Sequence, residues 1–219
     1  MSKRAFYTGV TPEAYNELKS KLAAEIAAVL AFAAIRNNDK VGLIMFTDGV
    51  ELFIPPRKGK SHVLRVIREV LYYQPKGRGT DIAAALEYLT RVSRRKTIAF
   101  VISDFFDDGK GGAPGFRQSM RIANKYHDII AITLNDPREA ELPDCGLITL
   151  EDAERGGRRV VDSSHPQVRA DYKARALRRL EARNRLFRSM DVDHIDVSTH
   201  EPYAQHLVRF FAGRRRKYR

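Results

Sequence analysis

Cysteine occurs once in the 219 residues, at Cys145, which excludes an internal disulfide and any cysteine-based metal cluster. No run of about 18 apolar residues is present, so the sequence offers no candidate transmembrane helix. The opening Met1-Ser-Lys-Arg-Ala-Phe-Tyr7 lacks the apolar stretch of a signal peptide, and a cytoplasmic protein is expected. The six histidines show neither H-x-x-x-H nor H-x-H spacing, which argues against zinc. Gly77-Arg78-Gly79 lacks the lysine and serine of a phosphate-binding loop and follows no strand, so nucleotide binding has little support. Ser103 lies in no Gly-x-Ser-x-Gly elbow, and Cys145 sits in a Pro-Asp-Cys-Gly turn with no evident base. No nucleophile arrangement, internal repeat or low-complexity linker can be read.

What is abundant is positive charge. At 43% hydrophobic the chain can bury one domain's core, yet it carries a formal charge of +12. Such a balance favours acidic partners. Arg169, Lys173, Arg175, Arg178, Arg179, Arg183, Arg185 and Arg188 lie on one long helical pattern, and Arg214-Arg-Arg-Lys-Tyr-Arg219 is a short basic tail. A solvated helix face explains this more simply than nucleic-acid binding, because no nucleic-acid module or aromatic platform accompanies it. A nucleic-acid-associated protein is the alternative.

Periodicity alternates helix and strand. Thr11-Pro12-Glu13 starts a helix whose stripe runs Leu18, Leu22, Ile26, Val29, Leu30 and Ala33, closed by Asn37-Asn38. Val41-Gly-Leu-Ile-Met-Phe46 is a strand covered on both faces, and Asp48-Gly49 turns into an alternating strand that Pro55-Pro56 ends, as at a sheet edge. Further helices carry Val63 to Leu71, Ile82 to Val92 and Phe116 to Tyr126; buried strands follow at 97–102 and 128–134. Asp136-Pro137 reads as a loop, 147–161 as a β-hairpin, 166–190 as a long helix, 194–197 as a strand, and Leu207, Phe210 and Phe211 mark a last helix. The order predicts an α/β fold with a Rossmann-like, mostly parallel sheet and helices on both faces.

In such a sheet, ligands bind beyond the carboxyl ends of the strands. The glycine loop delivers Thr80 and Asp81 to a helix start, and the strand 97–102 delivers Asp104 just past its end. Taken alone, Thr80 is an N-cap. Asp104 is harder to dismiss, because Phe105-Phe106-Asp107-Asp108 gathers further acids beside it. Two hard oxygen ligands suggest a Mg²⁺ site but are too few to make one. Asp48 reads as a turn residue and Asp136 as a loop residue. A phosphohydrolase using Asp104 and Asp107 would need a fuller carboxylate cluster and a base or nucleophile.

The segments Leu30-Ala-Phe-Ala-Ala-Ile-Arg-Asn-Asn-Asp-Lys-Val-Gly-Leu-Ile44, Gly77-Arg-Gly-Thr-Asp-Ile-Ala-Ala-Ala-Leu-Glu-Tyr-Leu89, Ile102-Ser-Asp-Phe105 and Asp136-Pro-Arg-Glu139 are distinctive. In them, and over nearly all of 16–212, the chain resembles the von Willebrand factor A-like part of the bacterial domain-of-unknown-function-58 family. The resemblance implies a metal-ion-dependent adhesion site, in which an Asp-x-Ser-x-Ser loop, a threonine and an aspartate surround Mg²⁺ and a partner's carboxylate completes the shell. Thr80 matches the threonine and Asp104 the aspartate. The Asp-x-Ser-x-Ser element, expected after a first central strand, is absent; by spacing, Ser2 falls at the first serine and Arg4 at the second.

The expectation is therefore a remnant or alternative start at 1–10, a von Willebrand factor A-like domain at 11–212 lacking its first central strand, and a basic tail at 213–219. Without that strand, 41–46 and 97–102 would each expose a ladder edge, leaving a chain that is marginal alone or borrows a strand. Mg²⁺ binding is expected to be weak or absent. The expected role is a non-enzymatic protein-interaction module, with a MoxR-type AAA ATPase as the partner the resemblance implies.

Overall fold

A computed structural model describes residues 13–77, 79–106, 115–151 and 158–217. Helix α1 (Glu13–Arg36) ends where Asn38 enters the left-handed region at φ 56°, the closure foreseen for the two asparagines. Its inward face is Leu22, Ala23, Ile26 and Ala27, whereas Leu18 and Val29, both read as core, are more than 40% exposed. The stripe is rotated from the expected one, and Lys19 occupies it.

Strands β1 (Val41–Phe46) and β2 (Val50–Arg57) form an antiparallel hairpin, closed by the Thr47 N–H donating to the Gly49 carbonyl at 2.8 Å. Strand β2 does not stop at its prolines: Arg57 still faces Val41 across the ladder. Gly42 permits this, because a Cβ there would stand 3.0 Å from both the Ile54 carbonyl oxygen and Pro56 Cγ. The register shifts at that point. Helices α2 (Lys60–Tyr72) and α3 (Ile82–Val92) follow.

Strands β3 (Ile98–Ser103), β4 (Asp128–Asn135) and β7 (Asp193–Ser198) form a parallel sheet in the order β3-β4-β7. Between them run α4 (Arg117–Tyr126), the short α5 (Pro137–Ala140), a separate hairpin of β5 (Leu147–Glu151) and β6 (Arg158–Asp162), and α6 (Pro166–Ser189). Helix α7 (Tyr203–Lys217) closes the order and already includes the first residues assigned to the basic tail.

The fold is mixed α/β, but the single sheet expected from the sequence is, among the described residues, three separate ladders. None of them joins β1 to β3. Side chains of the β1-β2 and β3-β4-β7 ladders nevertheless fall into the same two cores. Leu43, Met45, Ile102, Ile130, Ile132 and Leu134 pack with α1, α2 and α7, whereas Phe46, Val101, Ile129 and Ala131 pack with α3, α4 and α6. Strand β4 feeds both cores at period two, as a strand covered on both faces must. Each buried Ile of this kind contributes about 1.5–3 kcal/mol. The parallel order brings the ends of β3, β4 and β7 to one rim.

Candidate functional site

Asp104 follows β3 at that rim. The chain leaves the strand by a kink: Phe105 adopts φ 56° and is clamped edge-on between Phe116 and Phe187, with centroids 5.6 and 5.0 Å away. The Phe105 N–H donates to Ser103 Oγ at 3.0 Å, and the Phe106 N–H to Asp104 Oδ1 at 3.3 Å. The kink leaves Asp104 0% exposed.

Three other elements meet it there. Lys19 of α1, 1% exposed, places Nζ 3.6 Å from Asp104 Oδ2 and donates to Glu139 Oε1. Glu139 is delivered by a short capped helix, α5, where the Asp136-Pro137 pattern predicts a loop. Asp136 caps α5 by accepting the Arg138 N–H at 2.8 Å, while Glu139 Oε2 reaches back to the Asp136 N–H at 3.4 Å. From α6, Arg183 Nη1 donates to the Asp104 carbonyl at 3.1 Å; its Nη2 donates to Asn135 Oδ1 at 2.9 Å and Asp196 Oδ1 at 3.0 Å. Read from sequence as one of a solvated row, Arg183 is 8% exposed and ties the ends of β3, β4 and β7 together.

Buried charges persist only when paired and hydrogen-bonded. Burial raises the Glu139 carboxyl above its ordinary value, against the opposing pull of the Lys19 ammonium. Burial likewise works against the Arg183 charge, offset by Asp196 and Asp104. Lys19 also lies 5.8 Å from the Phe106 ring centroid, and Arg179 lies 5.5 Å from it.

Thr80 sits in a loop anchored to the end of β1. Asp81, not Thr80, caps α3: its Oδ1 accepts the Ala84 N–H at 2.8 Å, and a full negative charge suits a helix N-terminus better than a hydroxyl. The Asp81 N–H donates to the Thr47 carbonyl at 2.6 Å. Glu51 accepts the N–H groups of Gly77 at 2.7 Å and Lys76 at 3.1 Å, and the Thr47 hydroxyl at 2.5 Å. Although burial opposes it, these bonds hold the Glu51 carboxyl below its ordinary value. Ser2, Arg4, Asp107 and Asp108 lie outside the described residues.

Three of the remaining basic residues of α6 pair with acids nearby. Arg169 pairs with Asp144, Lys173 with Glu141 and Arg185 with Glu181. Arg214 of α7 pairs with Asp128 at 2.6 Å and Asp193 at 2.9 Å. Such pairing offsets part of the basic excess.

The described carboxylates do not gather as a divalent cation would need. Among the described residues no cluster of three His, Cys, Asp or Glu side chains could hold one, and the Asp104 carboxylate already faces an ammonium. Lys19, Glu139 and Arg183 were missed from sequence. The available signal was phase: Lys19 stands three, four and seven residues before the buried Leu22, Ala23 and Ile26, and Arg183 lies seven after Ala176 and four before Phe187. A charge on a buried stripe needs a partner.

Residues 9–182 match the family profile described as "Protein of unknown function DUF58". An uncharacterized protein of Mycobacterium tuberculosis is 31% identical over 201 residues, covering 90% of this chain and 61% of that protein. A Mycobacterium avium relative, also uncharacterized, is 32% identical over 168 residues, covering 74% of this chain and 94% of its own. The chain thus spans about three fifths of the length of the first of these. The conserved hypothetical protein BatB of Bacteroides thetaiotaomicron superposes with a TM-score of 0.55 at 16% identity, over 95% of this chain and 91% of BatB. An aerotolerance-related membrane protein of Bacteroides fragilis gives 0.53 at 18%, over 90% and 87%. These two show a shared fold. No helix among the described residues is long and apolar enough to cross a membrane.

Proposed function

We propose, from the premise that this chain belongs to the DUF58 family, that it is a non-enzymatic protein-interaction module of von Willebrand factor A type, working in the cytoplasm. Its partner surface is the rim around Asp104 and Phe106 together with the Thr80 loop. A MoxR-type AAA ATPase is the partner we propose, on the resemblance described above. The observation that carries this reading is the state of the rim's chemistry. Asp104, Glu139, Lys19 and Arg183 are buried and committed to one another, which suits a rigid platform better than a proton-transfer or nucleophilic site.

A titration of the purified ATPase against this chain tests it. Phe106→Ala, which removes a partly exposed ring at the rim, is expected to weaken binding tenfold or more. Lys96→Ala, in the exposed loop before β3 at the opposite end of the sheet, is expected to leave it within twofold. Absence of binding, or equal losses at both ends, refutes the proposal.

A further inference from the structure

We infer that the outer side of α2, continued by α1, docks on an anionic membrane surface, its cations meeting lipid phosphates while its leucines enter the headgroup boundary. The face is separate from the rim, and its role does not depend on what the rim binds.

The arrangement of α2 carries the inference. Val63, Val66 and Val70 turn one side of the helix inward, and Val66 and Val70 join the core that Leu22 and Ile26 of α1 also fill. The two helices therefore lie in one layer and present one outer surface. At 3.6 residues per turn, Lys60, Leu64, Arg68 and Leu71 fall in a single outward row, with Arg65 and Tyr72 beside it. All six are exposed, Tyr72 to 73%. No acid stands among them; Glu69 lies to the side, half-buried. Arg57 and Lys58, both exposed, add charge just before the helix begins. Val29 and Phe32, exposed on α1, extend the apolar part. Glu25, also on the outer side of α1, is engaged by the Tyr203 hydroxyl.

These cations differ from those of the C-terminal helices. Arg169, Lys173, Arg185 and Arg214 pair with acids, whereas Arg57, Lys60, Arg65 and Arg68 form no ion pair among the described residues. Free positive charge interleaved with large exposed aliphatic side chains on one helix face is the pattern of a helix lying in a membrane interface. A phosphate backbone would answer the cations and leave Leu64, Leu71, Val29 and Phe32 in water. An anionic bilayer answers both, because long cationic side chains reach the headgroups while the residues between them sit deeper. Tyr72, with an apolar ring and a polar tip, suits the same depth.

The experiment is co-sedimentation of the full chain with vesicles of phosphatidylcholine, with and without one third phosphatidylglycerol. The native chain should bind the anionic vesicles and leave the neutral ones. Arg65→Gln with Arg68→Gln should weaken binding roughly twentyfold, the order for two cations at a lipid surface. Leu64→Ser with Leu71→Ser should weaken it about tenfold. Arg175→Gln with Arg178→Gln, the same charge change at exposed positions of α6, should leave it within twofold. The chain has no tryptophan, so Tyr72→Trp supplies a single reporter whose emission should shift to the blue on anionic vesicles alone.

Absence of vesicle binding overturns the proposal, as does equal binding to neutral vesicles. Equal losses from the α2 and α6 arginine pairs overturn it by showing that net charge alone is felt. Full binding by the leucine variant, or an unshifted tryptophan, overturns the seating of the apolar residues in lipid. Duplex DNA bound more tightly than vesicles, with the loss at Arg65 and Arg68 repeated, replaces the membrane with nucleic acid. Self-association in sedimentation that the leucine variant abolishes, without vesicle binding, replaces it with a second copy of this chain.

Discussion

Gly77→Ala is the substitution that most directly examines how the Thr80 loop is held. A Cβ built at Gly77 would stand 2.0 Å from Asp48 Oδ1 and 2.2 Å from Thr47 Oγ1, whereas ordinary contact begins at 3.4 Å. The Asp48 carboxylate is exposed and can swing away at little cost. Thr47 cannot, because it is 2% exposed and its hydroxyl is committed to Glu51 at 2.5 Å. Relief therefore moves the loop, and moving the loop breaks the Gly77 N–H bond to Glu51. Overpacking of this kind costs about 1–3 kcal/mol. A lost hydrogen bond to a charged group costs about 1.5–3 kcal/mol. Since the two are alternative routes of relief more than additive ones, about 3 kcal/mol is expected. For a chain of this length that corresponds to a melting temperature lower by roughly 6–12 °C. Differential scanning calorimetry reads it, with Gly49→Ala as the control, since a Cβ there meets nothing within 4 Å. G77A melting within about 2 °C of the native chain would refute the latch.

Two further outcomes are expected. Because its hydrogen bonds hold the Glu51 carboxyl below the ordinary 4.5, the stabilisation it gives is present above that value and lost as pH falls through the lower native one. Urea unfolding across pH should show the native chain more stable than Glu51→Gln at neutral pH, the gap closing in acid; a gap independent of pH would contradict this. Gly213→Ala, at an exposed position within α7 where a Cβ meets nothing, should stabilise by about 1 kcal/mol, raising the melting temperature by roughly 2–4 °C; a lower melting temperature would count against the helix there.

How much could be read beforehand depended on whether the governing interactions were local. Strands β3 and β4 are continuous apolar runs, and parallel pairing buries both faces, so their place and type followed from the residues. The hairpin turn at 48–49 and the asparagine closure of α1 are equally local and were equally visible. The phase of α1 was not, because Leu18 and Leu22 fit an apolar stripe as well as Lys19 and Leu22 fit the real one. Only the arrival of Asp104 and Glu139, more than 80 residues away in sequence, makes a lysine the better occupant of the buried face. The same holds for Arg183, which looks like one member of a basic row until β3, β4 and β7 place a carbonyl, an amide and a carboxylate around it. Asp104 was singled out for a sound reason, a carboxylate ending an apolar strand on the ligand-bearing rim, yet that reasoning expects a cation without saying which. A carboxylate in that position requires positive charge; whether an ion or a lysine supplies it depends on a helix from elsewhere in the chain. Here α1 brings a lysine to it, and the same ammonium is shared with Glu139 of α5, so three distant stretches of the chain settle one buried charge.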